Sequence, residues 1–338
     1  MAPVGAGGGC WQAVAVADPR SAASGGPGPS AANRPALGGP ALADPLDAAV
    51  LAEAGRPVGL RVVVVTETGS TNADVAARAR AGEPAGLVIA AERQSAGRGR
   101  LDRSWVSPPG SGLTVSLLAR PAVPAARLGW VPMVVGTSLV ATLRSRFAVP
   151  AWLKWPNDVQ VGGDKLAGIL VELIRAAPGQ SDASRPSAQP GLVIGFGLNV
   201  HTTAAELPPG GTSLAVLAAA TTGQAGSPAA TGVDGGRAGR VDAAAGPGEA
   251  PRRTDLLAAL LTDLAGALAS FDADPAAARQ EYREVCATLG RDVRVELPGG
   301  ETVVGVAGDV DEVGRLVVDG RAFSAADVVH LRPAPTTP

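Results

Sequence analysis

Gln94-Ser95-Ala96-Gly97-Arg98-Gly99-Arg100-Leu101-Asp102-Arg103-Ser104-Trp105 breaks into a chain otherwise made largely of apolar runs. Its small residues free the backbone for close approach to another group, and its three arginines carry charge at any cellular pH. Such a loop suits a phosphate; taken alone it reads equally well as a solvated basic turn. It lacks both the Gly-Lys-Ser/Thr ending of a P-loop and the Gly-x-Gly-x-x-Gly spacing of a dinucleotide fingerprint, so any nucleotide is held differently.

The loop sits between runs that predict strands, 86–92 and 113–118. Upstream, the β-branched run 60–65 predicts a strand ending in a turn at Thr66-Glu67-Thr68-Gly69. Thr71 with Asp74 then resembles a capping box for a short helix to Ala81, stopped by Gly82. Downstream, 134–147 reads as a buried helix and 151–154 and 191–200 as strands. The runs 159–161 and 166–173 form a hairpin about Gly162-Gly163-Asp164. Leu256, Leu257, Leu260, Leu261, Leu264 and Leu268 recur at helical spacing, and Tyr282, Val285 and Leu289 suggest a second helix. From Asp292 the period becomes two, and five short strands in about forty residues suggest a small barrel, too small a core to act alone. Residues 1–57, rich in Ala, Gly and Pro, read as a disordered tail. A larger domain then covers 58–284 with a low-complexity insert at about 219–252, the small domain covers 285–333, and 334–338 is a tail.

Bulk composition removes several chemistries. Lys and Arg number 29 against 31 Asp and Glu, so no strong field gathers nucleic acid. Cys10 and Cys286 are the only cysteines, which leaves no disulfide framework and no cysteine metal site. His201 and His330 are the only histidines, too few for His-ligated zinc, and a Ser-His-Asp triad is not indicated. The first thirty or so residues lack a basic segment followed by an apolar run, and nowhere do about eighteen apolar residues run uninterrupted. The expectation is a cytoplasmic chain that neither is secreted nor enters a membrane.

Chemistry must therefore rest on Lys, Arg, Asp, Asn and backbone groups. Besides the basic loop, Lys154-Trp155-Pro156-Asn157-Asp158 is followed by Lys165-Leu166-Ala167-Gly168-Ile169-Leu170-Val171-Glu172. A lysine entering an apolar strand either pairs with a carboxylate or phosphate or guards a sheet edge. Asn157 and Asp158 either serve a ligand or make an Asx turn. Gly195-Phe196-Gly197-Leu198-Asn199-Val200 offers two glycines over which a flat ring can lie, with the Asn199 amide at its edge, or it is a β-bulge. Gly69-Ser70-Thr71-Asn72 is a helix cap or a hydrogen-bonding cluster for a ligand.

In this order the motifs resemble the biotin protein ligases, also called biotin–[acetyl-CoA-carboxylase] ligases, in the form without an N-terminal DNA-binding domain. The resemblance runs through Ser70 to Asn72, Gln94 to Trp105, Lys154 to Asp158, Lys165 to Leu170 and Gly195 to Asn199. It implies an α+β fold: a mixed, mainly antiparallel sheet flanked by helices, of the class II synthetase-like kind, with a small C-terminal SH3-like β-barrel. It implies ATP-dependent activation of biotin to biotinyl-5′-AMP and transfer to a lysine of a biotin carboxyl carrier domain. By similarity Lys165, Arg100 and Asp158 are catalytic. Ser70, Thr71, Asn72, Gln94, Arg98, Gly99, Arg100, Lys165, Gly168 and Leu170 would bind biotin. Arg98, Arg100, Trp105, Asn157, Lys165 and Asn199 would bind ATP and the adenylate, with Mg²⁺ held mainly by the ATP phosphates and no protein metal site. Leu101-Asp102-Arg103-Ser104 departs from the family's loop, so no role is carried over for charges beyond Arg100. A lipoate or octanoate ligase and a non-catalytic biotin-binding regulator are the alternatives.

Overall fold

The apolar runs of the larger domain become β1 (Arg61–Thr68), β2 (Leu87–Gln94), β3 (Gly112–Ala119), β4 (Trp152–Lys154), β5 (Asp158–Val161), β6 (Asp164–Ile174) and β7 (Gly191–Asn199). The structure is a computed structural model and describes residues 44–101, 103–174, 191–224, 249–297, 299–324 and 327–331. The strands form one sheet in the order β1-β2-β3-β7-β6-β5-β4. Only β1 and β2 are parallel, because helix α2 (Thr71–Arg80) crosses over between them. This is the mixed, mainly antiparallel sheet expected.

Helices α3 (Val131–Phe147) and α5 (Arg253–Ala273) share one hydrophobic cluster with the sheet, in which Leu139, Leu143, Leu260 and Leu264 join Leu117 and Ile169. Gly136 lets α3 lie close: a Cβ there would come 2.7 Å from Leu153 Cδ2. The helical stretch Ala125–Phe147, which ends in α3, and α5 are long and apolar enough to cross a membrane, yet 61% and 44% of their apolar windows are buried within the fold. α2 packs through Val75, Ala76 and Ala79 on Ile89 and Val193, in a second, smaller cluster.

Four sequence expectations need correction. Within the segment expected to be disordered through residue 57, α1 (Ala48–Gly55) is a helix capped by Asp47 with Leu51 fully buried. Its approach is pinned by distant partners: Asp44 Oδ2 accepts from Arg253 N at 2.6 Å, and Leu46 N donates to Glu92 Oε1 at 2.7 Å. Residues 1–43 and 334–338 lie outside the described residues, as does Asp102. The expected capping box does not form: Ser70 is the N-cap without a side-chain bond, Gln94 Oε1 accepts from Thr71 N at 2.8 Å, and Asp74 accepts from Thr68 Oγ1. The second helix stops at Val285 rather than Leu289, in α6 (Pro275–Val285), because Cys286 is extended and bridges Leu153. Of the expected insert at 219–252, helix α4 (Leu214–Gln224) covers the start, and 225–248 lie outside the described residues.

The C-terminal strands are β8 (Asp292–Glu296), β9 (Thr302–Val310), β10 (Leu316–Val318), β11 (Arg321–Phe323) and β12 (Asp327–His330). They make an antiparallel sheet ordered β11-β10-β9-β8-β12, whose end strands share no ladder among the described residues. The module is not a free appendage. Val293, Val295, Leu316 and Val318 belong to the same core cluster as the larger domain. Trp130 Nε1 donates to Asp311 O at 3.1 Å and Trp155 Nε1 to Gly314 O at 3.3 Å. From α6, Arg279 and Arg283 both grip Asp309, at 2.8 and 2.6 Å.

At this joint Thr288 Oγ1 accepts from Trp155 N at 3.0 Å and lies 3.0 Å from His330 Nε2. The hydroxyl has a second lone pair and one hydrogen, so it can accept from the imidazole or donate to it, as the ring's tautomer dictates. Burial first, then Lys154 and Arg291, push His330 down to about 4. Since the unfolded imidazole titrates near 6.5, this contribution to stability is present above about pH 6.5 and lost as pH falls through about 4. The expected loss is at most about 3 kcal/mol. Melting temperatures measured from pH 7 to pH 4 should fall more steeply for the parent than for His330→Gln; parallel profiles would refute the assignment.

Candidate active site

Strand register explains why motifs far apart in sequence meet. Lys154 pairs with Asp158, Asp158 with Gly168, Gly168 with Gly197 and Gly197 with Thr114, a row crossing five strands. A second row holds Leu170, Gly195 and Ser116. Lys165 reaches this surface through a β-bulge: Gln160 and Val159 pair with Lys165 and Ala167, so Leu166 is an extra residue that breaks the alternation. Lys165 Cε and Nζ lie 3.2 Å from where a Gly168 Cβ would be.

The glycines form a trough. A Cβ on Gly195 would stand 2.0 Å from Asn72 Oδ1, and one on Gly197 would stand 2.3 Å from the Trp105 ring. Over Gly197 the flat ring is the protein's own indole, whereas Gly195 faces the Asn72 amide. Trp105 closes a small hairpin, with Trp105 N donating to Gly97 O at 2.9 Å, Gly99 N to Arg103 O at 2.6 Å, and Leu101 at a positive φ of 53°. Gly97 is required there because a Cβ would meet Trp105 O at 2.3 Å.

Folded back over the sheet, the hairpin encloses a cavity of about 300 Å³. One end is polar and uncharged. Gln94 Oε1 accepts from Thr71 N and Thr71 Oγ1 at 2.8 and 3.0 Å, and Ser116 Oγ lies 2.7 Å from Thr71 Oγ1 and 2.6 Å from Asn72 Oδ1. Ser70, whose hydroxyl caps nothing, completes this end. The rest of the lining is cationic: Arg98, Arg100, Arg103, Lys154 and Lys165 line the cavity with only Asp158 and Glu296 as carboxylates. Lys165 Nζ lies 2.7 Å from Asp158 Oδ1, and Arg100 Nη1 donates to Asn157 Oδ1 at 3.2 Å. Burial pushes the Lys154 ammonium below its ordinary range; Lys165 and Arg103 add to this while Asp158 opposes it. A concave, half-buried space with excess positive charge concentrates an anion.

Of the residues singled out in the sequence, Ser70, Thr71, Asn72, Gln94, Arg98, Gly99, Arg100, Trp105, Asn157, Asp158, Lys165, Gly168 and Leu170 all line this cavity. Asn199 does not: it is buried and its Nδ2 donates to Thr212 O at 3.0 Å. Sequence reasoning passed over Lys154, although it opens a quoted motif, and also Arg103, Ser116 and Glu296 from the small domain. Among the described residues no three His, Cys, Asp or Glu side chains cluster to hold a metal ion.

Known proteins fit this geometry. A family model for the biotin/lipoate A/B protein ligases matches residues 65–182, and one for the biotin protein ligase C-terminal domain matches 288–331. The biotin–[acetyl-CoA-carboxylase] ligase of Mycobacterium tuberculosis is 38% identical over 279 residues, spanning 80% of this chain and 88% of that protein. The corresponding ligase of Paracoccus denitrificans is 35% identical over 143 residues, 40% of this chain and 53% of that protein. Among solved structures, the biotin protein ligase from Aquifex aeolicus in complex with biotin and ATP shares the fold with a TM-score of 0.59 at 23% identity, covering 80% of this chain and 99% of that one. On its matched domains and its Mycobacterium relative, the chain belongs to the biotin protein ligase family.

Proposed function

We propose that this chain joins biotin to ATP as biotinyl-5′-AMP and passes the biotinyl group to a lysine of a biotin carboxyl carrier domain, in the cytoplasm where ATP is at hand. The observation that carries this reading is one cavity with an uncharged hydrogen-bonding end and a cationic lining elsewhere. Biotin has the matching halves, a ureido ring with donors and an acceptor, and a carboxylate tail. Ser70, Thr71, Asn72 and Gln94 take the ring, Gly168 and Leu170 wall it, and Arg98, Gly99 and Lys165 meet the carboxylate end.

In the first step a biotin carboxylate oxygen attacks the α-phosphorus and pyrophosphate leaves. Lys165, Arg98 and Arg100 are already in place to offset charge growing on the phosphoryl oxygens, so little reorganisation is needed as it develops. In the second step the carrier amine attacks the acyl carbon, AMP leaves with the bonding pair, and the new amide sheds a proton. Asp158, held by Lys165, is placed to orient the amine. Trp105 and Asn157 face the adenylate, while Asn199, whose Nδ2 donates to Thr212 O, would read adenine with its other N–H and its amide oxygen. Mg²⁺ would travel with the ATP phosphates, whose oxygens are the hard ligands such an ion takes.

The full chain incubated with biotin, MgATP and a carrier domain should add one biotinyl mass to the carrier, and lipoate in place of biotin should add none. No mass gain with biotin, or an equal gain with lipoate, would overturn the reading. A narrower result concerns the trough. Gly195→Ala forces Asn72 aside, so the KM for biotin should rise roughly 10-fold or more, the worth of one hydrogen bond left unmade. An unchanged KM would show that Asn72 does not serve the ring.

A further inference from the structure

Glu172 stands outside the cavity and belongs to none of the motifs' assigned roles, yet one of its oxygens ties an amide of the cavity to a cation of the hairpin. Oε2 accepts from Arg98 Nη2 at 3.0 Å and from Asn72 Nδ2 at 2.7 Å. Asn72 lines the inner cavity, while Glu172 lines a second space of about 660 Å³ on the outer side of the hairpin. Arg98, Gly99 and Arg100 border both spaces, so the Asn72, Glu172 and Arg98 side chains form a strut across the partition.

Two physical effects follow from that placement. Arg98 is a long, half-exposed side chain on a hairpin entered through glycines, and without an anchor its guanidinium spreads over several rotamers. Glu172 removes that freedom. An Asn amide, in turn, is oriented only by its partners. A carboxylate accepts and never donates, so Glu172 fixes Nδ2 outward, helped by Leu170 O at 3.4 Å, and turns Oδ1 toward Ser116 and the gap left by Gly195. One carboxylate thereby fixes a cation of the hairpin and an amide of the cavity.

We propose that Glu172 is a positioning residue that latches the basic hairpin to the start of α2, setting biotin affinity and retention of the adenylate; the catalytic half of this statement rests on the function proposed above. Glu172→Ala in the full chain should speed amide hydrogen exchange over residues 97–105, without any ligand, by roughly 10-fold or more, the worth of a charge-assisted hydrogen bond. With biotin and MgATP, the KM for biotin and the rate at which biotinyl-5′-AMP escapes should each rise by a similar factor, while kcat at saturating biotin falls by less than it does in Arg98→Ala. Adding Glu172→Ala to Arg98→Ala should raise adenylate escape little beyond Arg98→Ala alone, because both changes break one link. Glu172→Gln, which keeps the shape and one acceptor, should restore most of the KM and less of the retention. Unchanged exchange in Glu172→Ala, or effects of the two single changes that multiply in the double variant, would overturn the latch. Faster exchange in a chain whose parent form makes no adenylate would uphold the latch and overturn the function instead.

Discussion

Lys165→Ala should cut biotin-dependent pyrophosphate release by about 10²-fold or more, the scale on which loss of a preorganised charge partner acts. The bulge at Leu166 aims this ammonium over Gly168, in the row that also carries Asp158 and Lys154. The fold should survive, since the Lys165–Asp158 pair is about a third and a fifth exposed and such pairs contribute little to stability. A melting temperature within a few degrees of the parent alongside lost turnover is therefore the expected pair of results. Lys165→Arg is the sharper control: it keeps the charge but changes reach and donor geometry, and should recover only part of the rate. Pyrophosphate release at the parent rate from Lys165→Ala would remove this residue from the chemistry.

The second large effect is on stability. Arg253 is completely buried at the first turn of α5, where its Nη1 donates to Glu92 Oε2 at 2.7 Å and its Nη2 also pairs with that carboxylate. Burial pushes its guanidinium below the usual range, against the pull of Glu92 and Asp44. Removing the cation leaves Glu92 buried without its partner, so Arg253→Met should cost about 3–5 kcal/mol and lower the melting temperature on the order of 10 °C. Combining it with Glu92→Gln removes the stranded carboxylate and keeps an acceptor for Leu46 N, so the double variant should melt above Arg253→Met. A double variant that melts lower would mean that the cost lies in packing around the arginine rather than in the unpaired carboxylate.

Those residues also mark where sequence reading stops. The strands, the leucine-rich α5 and the basic hairpin were legible because each is declared within a dozen neighbouring residues. The segment from Asp44 to Gly55 was not: its composition is that of a tail, and what orders it are Arg253, Thr254 and Glu92, invisible until the chain folds. Lys165 was legible as an anomaly in an apolar strand, but its direction depends on the bulge. Glu172 carried no signal, because a glutamate near a strand end is ordinary until α2 and the hairpin are set beside it. Asn199 shows the reverse: the motif pointed to a ligand, and the fold puts the amide against Thr212 O.

The joint between the two domains rests largely on main-chain acceptors, for the indoles of Trp130 and Trp155 reach the carbonyls of Asp311 and Gly314. Such a joint is indifferent to most side chains in the receiving turn, so that turn can drift through generations without the halves separating. Gly314 is the exception, with φ of 91° and room for no Cβ between Gly129 O and Met133 Cε at 2.8 Å each. Descendants of this chain are thus free to rewrite much of that turn but not Gly314, nor the facing Gly129, where a Cβ would meet Val313 O at 2.4 Å.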